Sequence, residues 1–221
     1  MFRKLKKKYK NFIKDKFLIT SFEGDSDEYE IFDSSVKRLM RPIGSSFEIG
    51  VRRGMGSKLI IDAYRKYHPN LHNHVHIGLD PYGELPYNFS EDRKFNTDHD
   101  YTNLMKREMI INFSKKYQEF IFVNLDTFEF FKRFKDGYPI YSKVKKIIDK
   151  FEIVHFDGLH DIENVTLEID YFLDHLSDQT IFILDDIDTF DFENIKNKLL
   201  KNNFKLIEMG KRKASFEYLN Q

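Results

Sequence analysis

The chain has 221 residues, 41% hydrophobic and 16% aromatic. That is enough apolar material for a sizeable core in one domain, with or without a small appendage, and it excludes disorder throughout. Basic and acidic residues number 36 each, so the formal net charge is zero, which excludes a nucleic-acid coat protein. With no cysteine, disulfides, thiolate zinc sites, iron–sulfur clusters and cysteine nucleophiles are excluded as well.

The zero net charge hides a strong segregation. Residues 1–16 carry a formal +7, whereas residues 151–195 hold no Lys or Arg and carry −13. In the first segment Phe2, Leu5, Tyr9, Phe12, Ile13 and Phe17 recur every three to four residues between lysines, the pattern of a basic amphipathic helix. Such a helix can lie on an anionic membrane surface or a polyanion, or simply pack on the domain with its lysines in water. No window reaches the roughly 18 apolar residues of a membrane span. The start MFRKLKKKYKNFIK has no apolar signal core, so the expectation is a cytoplasmic protein, at most peripheral to the inner face of a membrane.

After this helix comes a turn-rich link (SFEGDSDE) and a second helix near 28–40; residues 1–41 read as a helical extension and 42–221 as the main domain. From there strands and helices alternate. Strands are expected at 46–50, 74–80, 119–126, 151–157 and 180–186. Helices are expected at 58–67, about 100–117, the aromatic stretch after Asp126, a Lys-rich 140–149, 162–176 and about 191–201. NFKLIEMG and KASFEYL close the chain as a hairpin. Residues 81–100 are polar and turn-rich; Tyr82, Tyr87 and Phe89 there could stack on a sugar ring, and Asp98-His99-Asp100 could line a lid. Strands joined by helices of ten or more residues imply parallel strands with helical crossovers, an α/β doubly wound sheet, mostly parallel with an antiparallel C-terminal hairpin and helices on both faces.

Four of the five strands end in an acid (Asp80, Asp126, Asp157, Asp185) and the first carries Glu48 just before Gly50. In an open α/β sheet all five fall on the edge where ligands bind. FEIGVRRGMGS reads as strand, glycine turn and helix start: Gly50 allows a sharp turn, and Gly54 and Gly56 allow the backbone to approach a ligand at the helix N–H groups. The spacing departs from the dinucleotide pattern GxGxxG. Asp80 is placed to accept from ribose hydroxyls, or to begin the turn DPYG, or both. Asp126 either reaches an adenine amine or caps the helix TFEFFKRF. His72, His74 and His76 share a strand face and read as a histidine patch rather than a metal cage.

The most informative stretch is FEIVHFDGLHDIENVTLEIDYFLDHLSDQTIFILDDID. Asp157 and the pair Asp185–Asp186 end strands that should be neighbours. Converging carboxylates repel unless a cation sits between them, and three hard oxygen donors suit Mg²⁺, Mn²⁺ or Ca²⁺. His160 is placed to remove a proton from a hydroxyl held there. The plain alternative is a capping Asp157, a solvated Asp185–Asp186 turn and a surface His160. No GxSxG elbow and no GxxxxGK[ST] loop supports a hydrolase or P-loop reading.

FEIGVRRGMGS, GLDPYG, HFDGLHDIENVTLEIDYFLDHL and IFILDDID together resemble class I S-adenosylmethionine-dependent methyltransferases, a Rossmann-like fold, and more narrowly the metal-dependent sugar O-methyltransferases of the macrocin type, over about residues 44–190. Two departures are Asp178-Gln179 in place of the usual glycine before the fifth strand and the basic Arg52-Arg53. The resemblance implies that Glu48, Gly50, Gly54, Gly56 and Asp80 line the S-adenosylmethionine site with Asp126 near the adenine. It also implies that Asp157, Asp185 and Asp186 hold Mg²⁺, with His160 as general base. The implied acceptor is a hydroxyl of a sugar or saccharide-containing small molecule, with no nucleic-acid partner. A homo-oligomer in which a second subunit completes the acceptor pocket is an expectation by analogy.

Overall fold

The computed structural model describes residues 22, 24, 26–83, 101–141 and 143–220, together with the backbone alone of 87–90 and 93–95. The basic segment 1–16 and Asp98-His99-Asp100 lie outside the described residues, as do the side chains of Tyr87 and Phe89.

A seven-stranded sheet carries the fold. Its strands are β1 (Ser45–Ile49), β2 (Val75–Leu79), β5 (Phe120–Val123), β8 (Phe151–Phe156), β9 (Leu176–Leu184), β10 (Phe204–Met209) and β11 (Ala214–Tyr218), in spatial order β10-β11-β9-β8-β1-β2-β5. The five strands from β9 to β5 are mutually parallel, while β11 runs antiparallel to β9 and to β10. The expected mostly parallel Rossmann-like sheet with an antiparallel closing hairpin is what the chain adopts. Its centre, β1 and β8, is buried along its whole length, because crossover helices cover both faces.

The helices are α1 (Glu30–Arg38), α2 (Met55–Tyr67), α3 (Asn103–Lys116), α4 (Thr127–Arg133), α5 (Ile162–Leu173) and α6 (Phe192–Lys201). On one face Ile31, Phe32 and Val36 of α1 pack with Ile60 and Tyr64 of α2 against Ile153, Ile181 and Ile183. Met105, Met109 and Phe113 of α3 extend that layer over Val51 and Ile61. The opposite face is the main core: Phe47, Ile77, Val154, Phe156 and Phe182 from the strands meet Phe130 of α4, Phe172 of α5 and Ile195 and Leu199 of α6. Strand alternation separates the two faces. The main-core face is apolar throughout, whereas the α1–α2 face carries a row of buried polar residues.

Two short hairpins add to this frame. One pairs β3 (Tyr87–Ser90) with β4 (Arg93–Phe95) inside the polar connection. The other pairs β6 (Tyr138–Tyr141) with β7 (Lys145–Ile148) where the sequence suggests a Lys-rich helix over 140–149. The β-branched Ile140, Ile147 and Ile148 and the aromatic Tyr138 and Tyr141 suit a pleated surface, and Pro139, lacking an N–H, is tolerated in a strand with a free edge. The three lysines of 140–149 give a helical impression but carry no apolar stripe of helical period.

Phe172 has its ring 5.0 Å from that of Phe47, 5.5 Å from Phe151 and 5.7 Å from Phe156, and is fully buried. Phe172→Ala is expected to cost about 3–5 kcal/mol, with Phe172→Leu costing clearly less; chemical denaturation of the purified chain measures both.

Candidate active site

β1 and β8 end side by side at the carboxyl edge of the sheet, and the site grows from that closeness. Gly50, at φ +80°, leaves β1 so near Asp157 that a Cβ would stand 1.8 Å from the Asp157 carbonyl oxygen. Arg52 follows at φ +45°, and Gly54 at φ +81° opens α2 with no side-chain cap. The first turn of α2 also holds no acid, so its N–H groups and dipole are open to an anionic ligand group. A Cβ on Gly56 would stand 2.0 Å from Glu48 Oε1: this glycine makes room for the Glu48 carboxylate against the helix start.

Beneath this loop runs the buried polar row. Glu48 and His155 are register partners on β1 and β8, and His155 Nδ1 lies 2.9 Å from Glu48 Oε1. The other Glu48 oxygen accepts the Ser57 hydroxyl proton. Ser57 Oγ is 2.9 Å from His76 Nε2, Ser46 Oγ is 2.8 Å from His76 Nδ1, and Ser46 Oγ is 2.9 Å from His74 Nε2. With Ser57 donating to Glu48, the chain reads consistently in one direction, each imidazole Nε2–H feeding the next hydroxyl. Burial depresses both imidazoles, His74 to about 3, so they stay neutral. The patch read from His74 and His76 is thus a buried hydrogen-bonded chain that ends at His74, whose Nδ1 has no partner, while His72 is exposed.

His155 is the opposite case. Burial alone would lower it, but the Asp185 and Glu48 carboxylates outweigh burial and push it up to about 9. Its Nε2 lies 3.8 Å from Asp185 Oδ2. Asp185 is buried and also accepts a hydrogen bond from the Lys213 ammonium, itself 1% exposed. Asp186, at φ +48°, donates its N–H to Asp185 Oδ1 (2.7 Å) and pairs through its own carboxylate with the Arg212 guanidinium.

At the rim stands His160, with Nε2 3.3 Å from Asp186 Oδ2 and 3.6 Å from Asp157 Oδ1. Burial lowers His160 from its usual value despite the Asp186 and Asp185 charges, which leaves a neutral imidazole able to take a proton. Burial raises the Asp157 carboxyl, with the His155 charge opposing it and the Asp185 charge reinforcing it. Glu48, Arg52, Gly56, His155, Asp157 and Lys213 are among the residues lining one cleft, together with Tyr29 and Phe32.

Residues 47–187 match a family described as a methyltransferase domain. The chain belongs to the methyltransferase-domain family. No curated protein matches the sequence. Among solved structures, the chain is similar to CalS11, a calicheamicin methyltransferase (TM-score 0.57, 16% identity, 87% of this chain and 77% of that one). A putative methyltransferase from Streptococcus mutans in complex with SAH superposes with TM-score 0.55 at 6% identity, over 89% of this chain and all of that one. A precorrin-6y C5,15-methyltransferase from Geobacter metallireducens gives 0.53 at 12%, over 91% and 92%. These likenesses are of fold. With the family match they identify an S-adenosylmethionine-dependent methyltransferase.

Within this methyltransferase the residues read from sequence are placed as follows. Glu48, Gly56, Asp157 and Asp185 line the cleft, His160 and Asp186 adjoin it, and Gly50 and Gly54 shape its loop. Asp80 is turned inward: Oδ2 accepts from Val51 N (3.0 Å) and Arg52 N (2.9 Å) and Oδ1 from Tyr82 N (3.1 Å), so it fastens β2 to the glycine loop. Burial pushes Asp80 up to about 7 against those three donors. Asp126 is exposed and caps α4, accepting from Glu129 N at 2.8 Å. Tyr82, considered for stacking on a sugar, is fully buried and donates its hydroxyl to the Arg52 carbonyl.

Among the described residues, the metal-capable donor atoms that lie within 4.8 Å of one another belong to Glu48, His155 and Asp157. Asp185 and Asp186 stand on Lys213 and Arg212. As arranged, the trio Asp157, Asp185 and Asp186 does not fit a hard divalent ion: two of the three already stand on protein cations. Sequence reading missed His155, Lys213 and Arg212. A histidine inside the apolar run FEIVHFD was a usable signal for the first, but nothing in GKRKAS marks a lysine as buried.

The charged form of His155 is favoured by the fold, so its stabilisation is full below about pH 6.5 and is lost as pH rises through about 9. The melting temperature is expected to fall across that interval, and His155→Gln to flatten the fall; scanning calorimetry from pH 6 to 10 measures it.

Proposed function

We propose that this methyltransferase acts on a hydroxyl oxygen of a sugar or saccharide-containing small molecule. The observation that carries this is His160, a neutral imidazole at the carboxyl edge of the sheet, flanked by Asp157 and Asp186 beside the glycine-loop cleft. The likeness to CalS11, titled a TDP-rhamnose 3′-O-methyltransferase (TM-score 0.53, 17% identity, 87% of this chain and 78% of that one), supports the sugar class.

The uncapped N–H groups of α2 suit the anionic carboxylate of S-adenosylmethionine, with Arg52 lining the same cleft. When bound, the donor supplies a methyl group on a sulfonium, displaced by an oxygen nucleophile while the C–S electron pair stays on sulfur. His160 takes the acceptor's hydroxyl proton on Nε2, and Asp186 then stabilises the imidazolium. Asp157 approaches the same nitrogen at 3.6 Å and adds a second negative charge beside the imidazolium. Tyr29 and Phe32 give the cleft an aromatic wall. His160 works here without a metal, the Asp185 and Asp186 carboxylates being already paired with Lys213 and Arg212.

Methyl transfer is expected from labelled S-adenosylmethionine to members of a panel of nucleotide sugars and glycosides. His160→Gln should lower kcat about 10²–10⁴-fold with S-adenosylhomocysteine affinity little changed. The acid limb of the kcat/KM profile should lie below pH 6.5, since His160 is depressed. Equal turnover by His160→Gln, or a panel methylated only on nitrogen or carbon, would overturn this reading.

A further inference from the structure

The turn between β10 and β11 holds one cation at unusual depth and a second beside it. Lys213 is 1% exposed, a burial lysine tolerates only when paired, and its partner is the equally buried Asp185. Arg212 is paired with Asp186. The turn is fastened so that neither can drift. Glu28, at φ +60°, accepts hydrogen bonds from the N–H groups of Lys211 (2.6 Å), Arg212 (3.0 Å) and Lys213 (3.0 Å). Ile187 N donates to the Arg212 carbonyl at 2.9 Å, which ties the turn to the end of β9. Tyr29 places its ring 5.9 Å from Lys213 Nζ, a cation–π contact on the cleft side.

Charge arithmetic follows from these contacts. Asp185 and Asp186 contribute two negative charges at the carboxyl edge, and Lys213 and Arg212, each in contact with one of them, contribute two positive ones. A divalent ion at this pair would have to displace Lys213 from a buried carboxylate.

We propose that Lys213, with Arg212, is the resident cation of this active site, standing where a divalent ion would otherwise neutralise Asp185 and Asp186, and that methyl transfer is metal-independent as a result. Lys213 is thus a positioning residue: through Asp185 it fixes His155 and the strand ends around the reacting oxygen. The inference deepens the O-methyltransferase reading and rests on it for the role of the site, but the cation pairing is testable alone.

The test uses the full, EDTA-treated chain with Mn²⁺ as the probe, read by the free-ion electron paramagnetic resonance signal and by thermal melting. The wild type is expected to bind no Mn²⁺ and to show no Mn²⁺-dependent rise in Tm. Lys213→Met, leaving Asp185 without its cation, is expected to melt lower, to bind one Mn²⁺ and to regain Tm with it. Asp185→Asn/Lys213→Met should lose that response. Arg212→Gln, whose side chain is about a third exposed, is the second variant should Lys213→Met fail to fold, and is expected to gain a weaker Mn²⁺ response through Asp186. Stoichiometric Mn²⁺ binding by the wild type that is lost in Asp185→Asn overturns the proposal, as does the absence of any gain in both variants. Binding of S-adenosylhomocysteine to the wild type, measured alongside by calorimetry, reports on the methyltransferase reading separately: its absence sinks that reading and leaves the cation result standing.

Discussion

Everything at the carboxyl edge depends on burying acids where two parallel strands end together. Glu48 and Asp185 are taken out of water on the α1–α2 face of the sheet, and an isolated buried carboxylate costs several kcal/mol or gives up its charge. The protein sets partners against both. His155 lies between Glu48 and Asp185, and Lys213 approaches the same Asp185 oxygen, Oδ2. Asp185 is held below the usual carboxylate range, burial being outweighed by His155 and Lys213, while His155 is raised. The two shifts are one interaction seen from its two ends. Removing either cation would leave a charge with no solvent to turn to, so this row fixes the relative positions of β1, β8 and β9 more tightly than apolar packing alone.

The same row explains why the two faces of the sheet differ. On the main-core face interlocked phenylalanine rings supply stability without directional demands. On the other face, hydrogen bonds from His74 through Ser46, His76 and Ser57 to Glu48 run across β2, β1 and α2 and end in the charged pair. A chain of donors and acceptors satisfied in one direction has few alternative arrangements. It delivers the Glu48 carboxylate to the start of α2, where Gly56 leaves room for it.

Legibility from sequence followed the range of the interaction. Strand–helix alternation, the glycine turn and the acids at strand ends are local patterns, and they placed the sheet, its parallel centre and Glu48, Asp157, Asp185, Asp186 and His160 at one edge. Where a residue's role depends on what lies across from it, the sequence was silent. Asp80 looked like a ribose acceptor because it ends a strand, but its oxygens meet the backbone of the glycine loop. Asp126 had both readings open, and the cap at Glu129 N is the contact present. The acids around Asp185 were read as calling for an external ion because the 151–195 stretch has no basic residue, and the cations arrive from 28 residues further along the chain, where nothing local marks them. The helix expected over 140–149 failed for the opposite reason: lysine content was weighed above the β-branched pattern that sets the hairpin.

The antiparallel hairpin is what makes this supply of cations possible. In a parallel sheet each strand presents its last residues to the ligand edge, so a further parallel strand beside β9 would bring another carboxyl end there. Because β11 runs the other way, pairing Ala214 with Leu184, the residues that precede it land next to Asp185 and Asp186. Lys213 and Arg212 reach the edge through the strand's beginning, and Glu28 holds that beginning from the segment before α1. Topology therefore decides the electrostatics: reversal of one strand converts a cluster of uncompensated acids into a balanced site. It also couples the chain segment before α1, through Glu28 and Tyr29, to the carboxylates around His160.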